Sequence, residues 1–211
     1  TGLFAVARIV TKIREITGEF ELQRVALGAI IQDKGRADQL FYQIQAKALE
    51  SPFQIKELVT YTKQLAAYRI ETEQLFDTTM RLADISAGLG VEMDRLILAY
   101  GQVKAASVLR GQELRQFTEA GIPLVQLLAQ KFTALNGTLV TTGDVFKLIS
   151  ERAVSFEMVK EIFEDMTNEG GIFYDMQRIQ SKTLAGSWSN LKDAADLGFN
   201  EIGQSQYGVM Q

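Results

Sequence analysis

The sequence predicts an all-α protein, a multi-helix globular domain, on three observations. Apolar residues recur at steps of three and four through almost the whole chain. Only two prolines, Pro52 and Pro123, interrupt 211 residues. The breaks between periodic segments are short glycine or Ser-Pro turns, which join packed helices. One alternative stays open, a minor extended segment near residues 20–31.

The first helix carries Leu3, Val6, Val10 and Ile13 at helical spacing, with Lys12, Arg14 and Glu15 away from them, until Gly18 breaks the pattern. From 19 to 32, Phe20, Leu22 and Val25 suggest extended chain, while Ala26, Leu27, Ile30 and Ile31 fit a helix equally well. After the turn Asp33-Lys34-Gly35, a clear helix runs through Ala37, Leu40, Phe41, Ile44 and Ala48. Ser51 then fits an N-cap, Pro52 the first helical position and Gln54 the return half of a capping box. The helix they open places Ile55, Leu58, Val59, Thr62 and Leu65 on one face.

Leu75, Phe76, Thr79, Leu82 and Ala83 mark the next helix, which stops at Gly88-Leu89-Gly90. Gly88 suits the left-handed conformation past a helix end because it has no Cβ. Val91 starts a further helix through Met93, Leu96, Ile97, Tyr100 and Val103. From Ala99 to Ala129, three helical segments are separated by two joints, Gly111 and Gly121-Ile122-Pro123, with Gln112, Glu113, Arg115 and Gln116 between them.

Pro123 opens a helix ending at Asn136-Gly137; Thr141 with Asp144, and then Ser155, supply caps for two shorter helices. Gly170-Gly171 interrupts again. A long terminal helix follows, with Phe173, Met176, Leu184, Trp188, Leu191, Ala195, Phe199 and Ile202 along its seam and a bend at Gly186. The chain is expected to form a single helical domain over 1–211, with 204–211 a frayed tail. Opening on Thr1-Gly2, it reads as an excised piece of a longer protein.

Composition narrows the function classes. With 46% hydrophobic and 23% charged residues the chain can bury a core. A net charge of −4 argues against tracking phosphate backbones over a broad basic face. No cysteine and no histidine are present, which removes disulfides, thiolate chemistry, the commonest general base and the commonest metal ligand. No apolar run approaches the roughly 18 residues of a membrane span.

Acid–base chemistry would rest on carboxylates beside glycines, Glu113, Glu119 and Glu169. Paired carboxylates held about 5–9.5 Å apart cleave glycosides, yet helix-surface charge is the simpler reading. Neither a calcium loop nor a phosphate-binding glycine loop is present, so no cofactor is expected. Lys104, Arg110 and Arg115 form the nearest thing to a basic cluster, read as a solvated face or as ion-pair partners of Glu113 and Glu119. Trp188, Leu191, Phe199 and Ile202 are core by default, with docking onto the parent chain or a second copy as the alternative.

Two segments carry a resemblance. One runs from Leu82-Ala83-Asp84-Ile85-Ser86-Ala87-Gly88-Leu89-Gly90, through Ala99-Tyr100-Gly101-Gln102-Val103 and Gly111-Gln112-Glu113-Leu114-Arg115-Gln116, to Ala120-Gly121-Ile122-Pro123. The other is Met166-Thr167-Asn168-Glu169-Gly170-Gly171-Ile172-Phe173-Tyr174, followed by Ser181-Lys182-Thr183-Leu184-Ala185-Gly186 and Ser189-Asn190-Leu191-Lys192-Asp193. With the Ser51-Pro52-Phe53 helix start, they resemble, over roughly residues 20 to 205, the N-terminal domain of bacteriophage and prophage tail tape measure proteins. Trp188 departs from the pattern, which has a small or polar residue there.

The resemblance implies a non-enzymatic virion structural protein, on whose length the tail tube polymerises. It implies as partners the rest of the parent chain, tail tube, tail-tip and tail assembly chaperone proteins, with assembly in the bacterial host cytoplasm. A homo-oligomer is a further expectation; nucleic acid and membrane contact are not expected. Some members carry peptidoglycan hydrolase domains elsewhere in their chains. The competing expectation is therefore a peptidoglycan-cleaving helper using Glu169 or Glu113.

Overall fold

The computed structural model describes residues 2–209, with side chains for 7–183 and 187–205. Eleven helices are found among the described residues: α1 Gly2–Ile31, α2 Lys34–Ala48, α3 Ile55–Ala67, α4 Thr72–Leu89, α5 Met93–Ala106, α6 Gly111–Glu119, α7 Leu124–Asn136, α8 Thr142–Ser150, α9 Phe156–Thr167, α10 Met176–Ser181 and α11 Leu184–Val209. The only pairing of extended chain among these residues is one antiparallel bridge, Val108 with Ser155. The chain divides into two compact units, residues 1–63 with 178–211, and residues 64–177.

In the first unit α1 packs on α2 and α11. Residues 19–31 are helix throughout. Ile13, Ile16, Phe20 and Leu27 are buried at steps of three, four and seven, whereas Leu22, Val25 and Ile30 are exposed. The extended alternative arises from apolar residues that point to solvent. Gly18 does not stop the helix; it sits inside it with nothing near its missing Cβ, where glycine costs roughly 0.5–1 kcal/mol relative to alanine. Phe20 meets Phe41 of α2 edge to face, with ring centroids 5.9 Å apart.

The turn at Ser51 differs from the expected cap. Ser51 is buried and its Oγ accepts from Phe53 N at 3.2 Å, but α3 begins only at Ile55. Gln54 N donates to Glu57 Oε2 at 2.7 Å, so the carboxylate reaching back from the first turn belongs to Glu57. Pro52 stands in the turn before the helix. The terminal helix is also shorter than its periodicity suggests. α10 and α11 are separated at Lys182-Thr183, where Thr183 N donates to Gln180 O, and Gly186 lies within α11. α11 continues helical to Val209, through most of the segment expected to fray.

The second unit is built around aromatic rings. Tyr100 of α5 lies 5.2 Å from Phe156 and 5.3 Å from Phe163 of α9, and Phe163 lies 5.2 Å from Phe117 of α6. Such pairs each add about 0.5–1.5 kcal/mol beyond the area they bury. Tyr68 packs its ring against the backbone of α5 at Gly101, leaving no room for a Cβ there. The expected cap of α8 is present as a complete box between Thr141 and Asp144, and Ser155 caps α9 through Met158 N. Asn136-Gly137 ends α7 with Gly137 left-handed at φ +67°.

Candidate functional site

The first segment and the Met166–Tyr174 part of the second meet in the second unit, together with their neighbours Arg81 and Gln177. Arg81 of α4 donates from Nη1 to Thr167 Oγ1 and to Asn168 Oδ1, each at 2.8 Å, and to Glu164 O at 3.3 Å. Its Nε is held by Asp77 at 2.6 Å, one helical turn back. Further along, Asp84 Oδ1 accepts from Gln177 N at 2.9 Å, while Gln177 Nε2 donates to Met80 O at 2.9 Å. Periodicity gives no sign of Arg81 or Gln177, because only their distant partners give them meaning.

The glycines have distinct roles in this clamp. Gly90, not Gly88, takes the left-handed conformation at φ +67° and closes α4. Gly88 lies inside the helix, where an added Cβ would stand 2.6 Å from Phe173. It is there for close approach, so the segment after α9 packs directly on α4. Gly170 is left-handed at φ +86°, and Gly171 faces the carbonyl oxygens of Asp165 and Met166 with no space for a side chain. The turn they form lets Phe173 N return to Met166 O at 2.8 Å. Glu169, beside this turn, is exposed.

In the stretch from Ala99 to Ala129 only one of the two joints is conformationally demanding. Gly121 has φ +93°, with Gly121 N on Thr118 O and Ile122 N on Phe117 O. Pro123 follows as the N-cap of α7. Gly111 is the first residue of α6, and nothing lies within 4 Å of its missing Cβ. The polar residues between the joints do not form one network. Gln112 and Arg115 are exposed, whereas Glu113 is only 5% exposed. Gln102 Oε1, Glu113 Oε2 and Gln116 Oε1 are buried without a hydrogen-bond partner among the described residues. Glu119 pairs with Arg95 at 2.7 Å, not with Arg110 or Arg115, and Lys104 stands over the Phe156 ring at 4.8 Å.

In the first unit α11 inverts the usual amphipathic arrangement. Asp193, Asn200 and Gly203 are buried, and Gly203 lies against Thr17 and Ile13 of α1 without space for a Cβ. Trp188, Leu191 and Ile202 are 74%, 60% and 47% exposed, with Ala195 exposed between them and Phe199 half-buried. Their steps of three, four and seven make one apolar stripe on the solvent side. The seam that reads as core is thus largely a surface. Burial pushes the Asp193 carboxyl up to about 6, against the opposing pull of the Ile55 backbone N–H that it accepts.

Among the described residues no group of three or more acidic side chains is placed to hold a metal ion, and no helix is long and apolar enough to cross a membrane. The geometry displays helical surfaces and packed joints. A family model described as tape measure protein matches residues 11–204. No curated protein and no solved structure matches the chain.

Proposed function

The chain belongs to the tape measure protein family, a family of structural components of phage tails, and on that premise we propose that it serves as a non-enzymatic assembly module acting through its helical surfaces. Its part in setting tail length would be to anchor one region of a long parent chain while tube subunits add. Partners fitting this role are the rest of the parent chain, tail tube and tail-tip proteins and a tail assembly chaperone, met in the host cytoplasm before the virion is complete.

The observation that carries the reading is the stripe Trp188, Leu191, Ile202 on α11. Contiguous exposed apolar side chains rimmed by polar ones mark interaction surfaces. Burying what they still expose would contribute on the order of 1 kcal/mol or more for each large side chain, part of the roughly 1.5–3 kcal/mol that full burial gives. A photo-cross-linking residue at Leu191 of the full-length parent, in assembling tails, should yield adducts to a tail component or to another part of the parent. The same group at exposed Glu71 serves as control. Equal yields at both positions, or none at Leu191, would overturn the assignment of this face.

A further inference from the structure

We infer that the groove formed by α6, α7 and α8 docks an acidic segment of a protein partner that carries large apolar side chains. The groove encloses about 640 Å³, within the size range of pockets that bury several apolar groups. Its floor is Leu114, Val125 and Ile149, all buried, and Phe146 forms a wall with 55% of its surface exposed. Phe146 follows Val145, which turns into the core. The exposed ring therefore belongs to the outer face of α8, whose start is fixed by the Thr141–Asp144 box.

Charge selects the occupant. Arg110, Arg115 and Arg152 line the same groove, all exposed, and no carboxylate is among its lining residues. None of the three guanidiniums has a hydrogen-bond or ion-pair partner among the described residues, whereas those of Arg24, Arg81 and Arg95 each hold a carboxylate within 3 Å. Three unpaired guanidiniums around an apolar floor, in a chain of net charge −4, match carboxylates flanking apolar anchors, since Arg binds carboxylates in a planar two-point fork. Arg152 also has φ +59°, just past the end of α8, where glycine is the low-cost residue. Gly111 borders the groove with open space at its missing Cβ. This surface lies in the second unit and shares no residue with the α11 stripe, so either assignment can fail alone.

The test uses fluorescence anisotropy on the whole chain with three labelled probes. These are a helical 14-residue peptide of Leu and Glu with Leu at i, i+3, i+4 and i+7, its Leu/Lys counterpart, and oligothymidylate of similar length. The expected result is saturable binding of the Leu/Glu peptide alone, weakened several-fold between low and physiological salt. Arg110→Gln with Arg115→Gln should weaken it at least 10-fold at an unchanged melting temperature. Arg152→Gly should weaken binding while raising the melting temperature, a pair of opposite signs that a purely structural arginine does not give. Equal binding of the Leu/Lys peptide, preference for oligothymidylate, absence of binding, or binding indifferent to the arginine variants would each overturn the inference.

Discussion

The Arg81 guanidinium lies 2.8 Å from Thr167 Oγ1, joining α4 to the end of α9 across 86 residues of chain. Thr167 is buried and its hydroxyl also bonds back to Phe163 O at 2.7 Å. The arginine therefore organises the last turn of α9 as well as the loop leaving it. Arg81→Leu should lower stability by about 1–3 kcal/mol, the scale of losing hydrogen bonds to a charged donor. Arg81→Lys should recover little, because a single ammonium cannot reach Asp77, Thr167 and Asn168 together. Urea unfolding midpoints of the three proteins check this, and full recovery by lysine would contradict it.

Gly121 and Gly111 look alike in sequence, each interrupting a helical pattern, and the structure separates them. Gly121→Ala should cost more than about 1 kcal/mol, because φ +93° is a conformation that side chains with a Cβ resist. Gly111→Ala should be neutral or slightly stabilising, since its backbone is helical and its surroundings are open. Thermal melts that rank the two the other way would show that the constraint sits at the start of α6.

Gly171 gives a sharper case, because its missing Cβ faces backbone carbonyl oxygens that cannot swing aside. Gly171→Ala should cost about 2–4 kcal/mol, comparable to overpacking or burying strain elsewhere. Gly170→Asn should cost much less, since asparagine tolerates the left-handed region and nothing crowds that position. Comparing the two by differential scanning calorimetry tests whether close approach, not turn formation, is the stronger demand.

These contrasts separate what is legible in the sequence from what is not. The helix period, the Thr141–Asp144 box and the caps at Ser155 and Gly137 are local, so a few neighbouring residues suffice to specify them. The roles of Gly88 and Gly90 are easily exchanged because sequence shows a glycine but not the Phe173 ring beside it. Arg81, Gln177 and Tyr68 give no signal at all, since their partners lie far away along the chain or on another helix. Along α11 the apolar spacing is plain, yet its direction is not. The buried Asp193, Asn200 and Gly203 reveal which side faces α1 and α3.

A peptidoglycan-cleaving role would need Glu113 or Glu169 to move a proton at an accessible bond. Glu113 is buried in the packing of α6, and Glu169 is exposed beside the Gly170-Gly171 turn. On the non-enzymatic reading the purified chain should leave cell-wall substrate intact, and turbidity should stay flat over hours at micromolar protein. Clearing that disappears in Glu113→Gln or Glu169→Gln would restore the enzymatic reading.

The buried carboxyl of Asp193 makes stability depend on pH in a predictable direction. Its folded-state value of about 6 stands above the ordinary 3.8, so the folded chain binds the proton more tightly than the unfolded chain. The stabilising contribution is fully present below about 3.8 and is lost as pH rises through 6. Asp193→Asn removes the titration while keeping an oxygen that can accept from Ile55 N–H. Relative to the unsubstituted chain, the variant should gain about 1–3 kcal/mol between pH 4 and pH 7, since each tenfold difference in proton affinity corresponds to about 1.36 kcal/mol. Urea unfolding at both pH values measures the gap between the two proteins directly. A gap that stays constant from pH 4 to 7 would mean that the carboxylate is solvated in the folded chain, and the buried polar face of α11 would need to be redrawn.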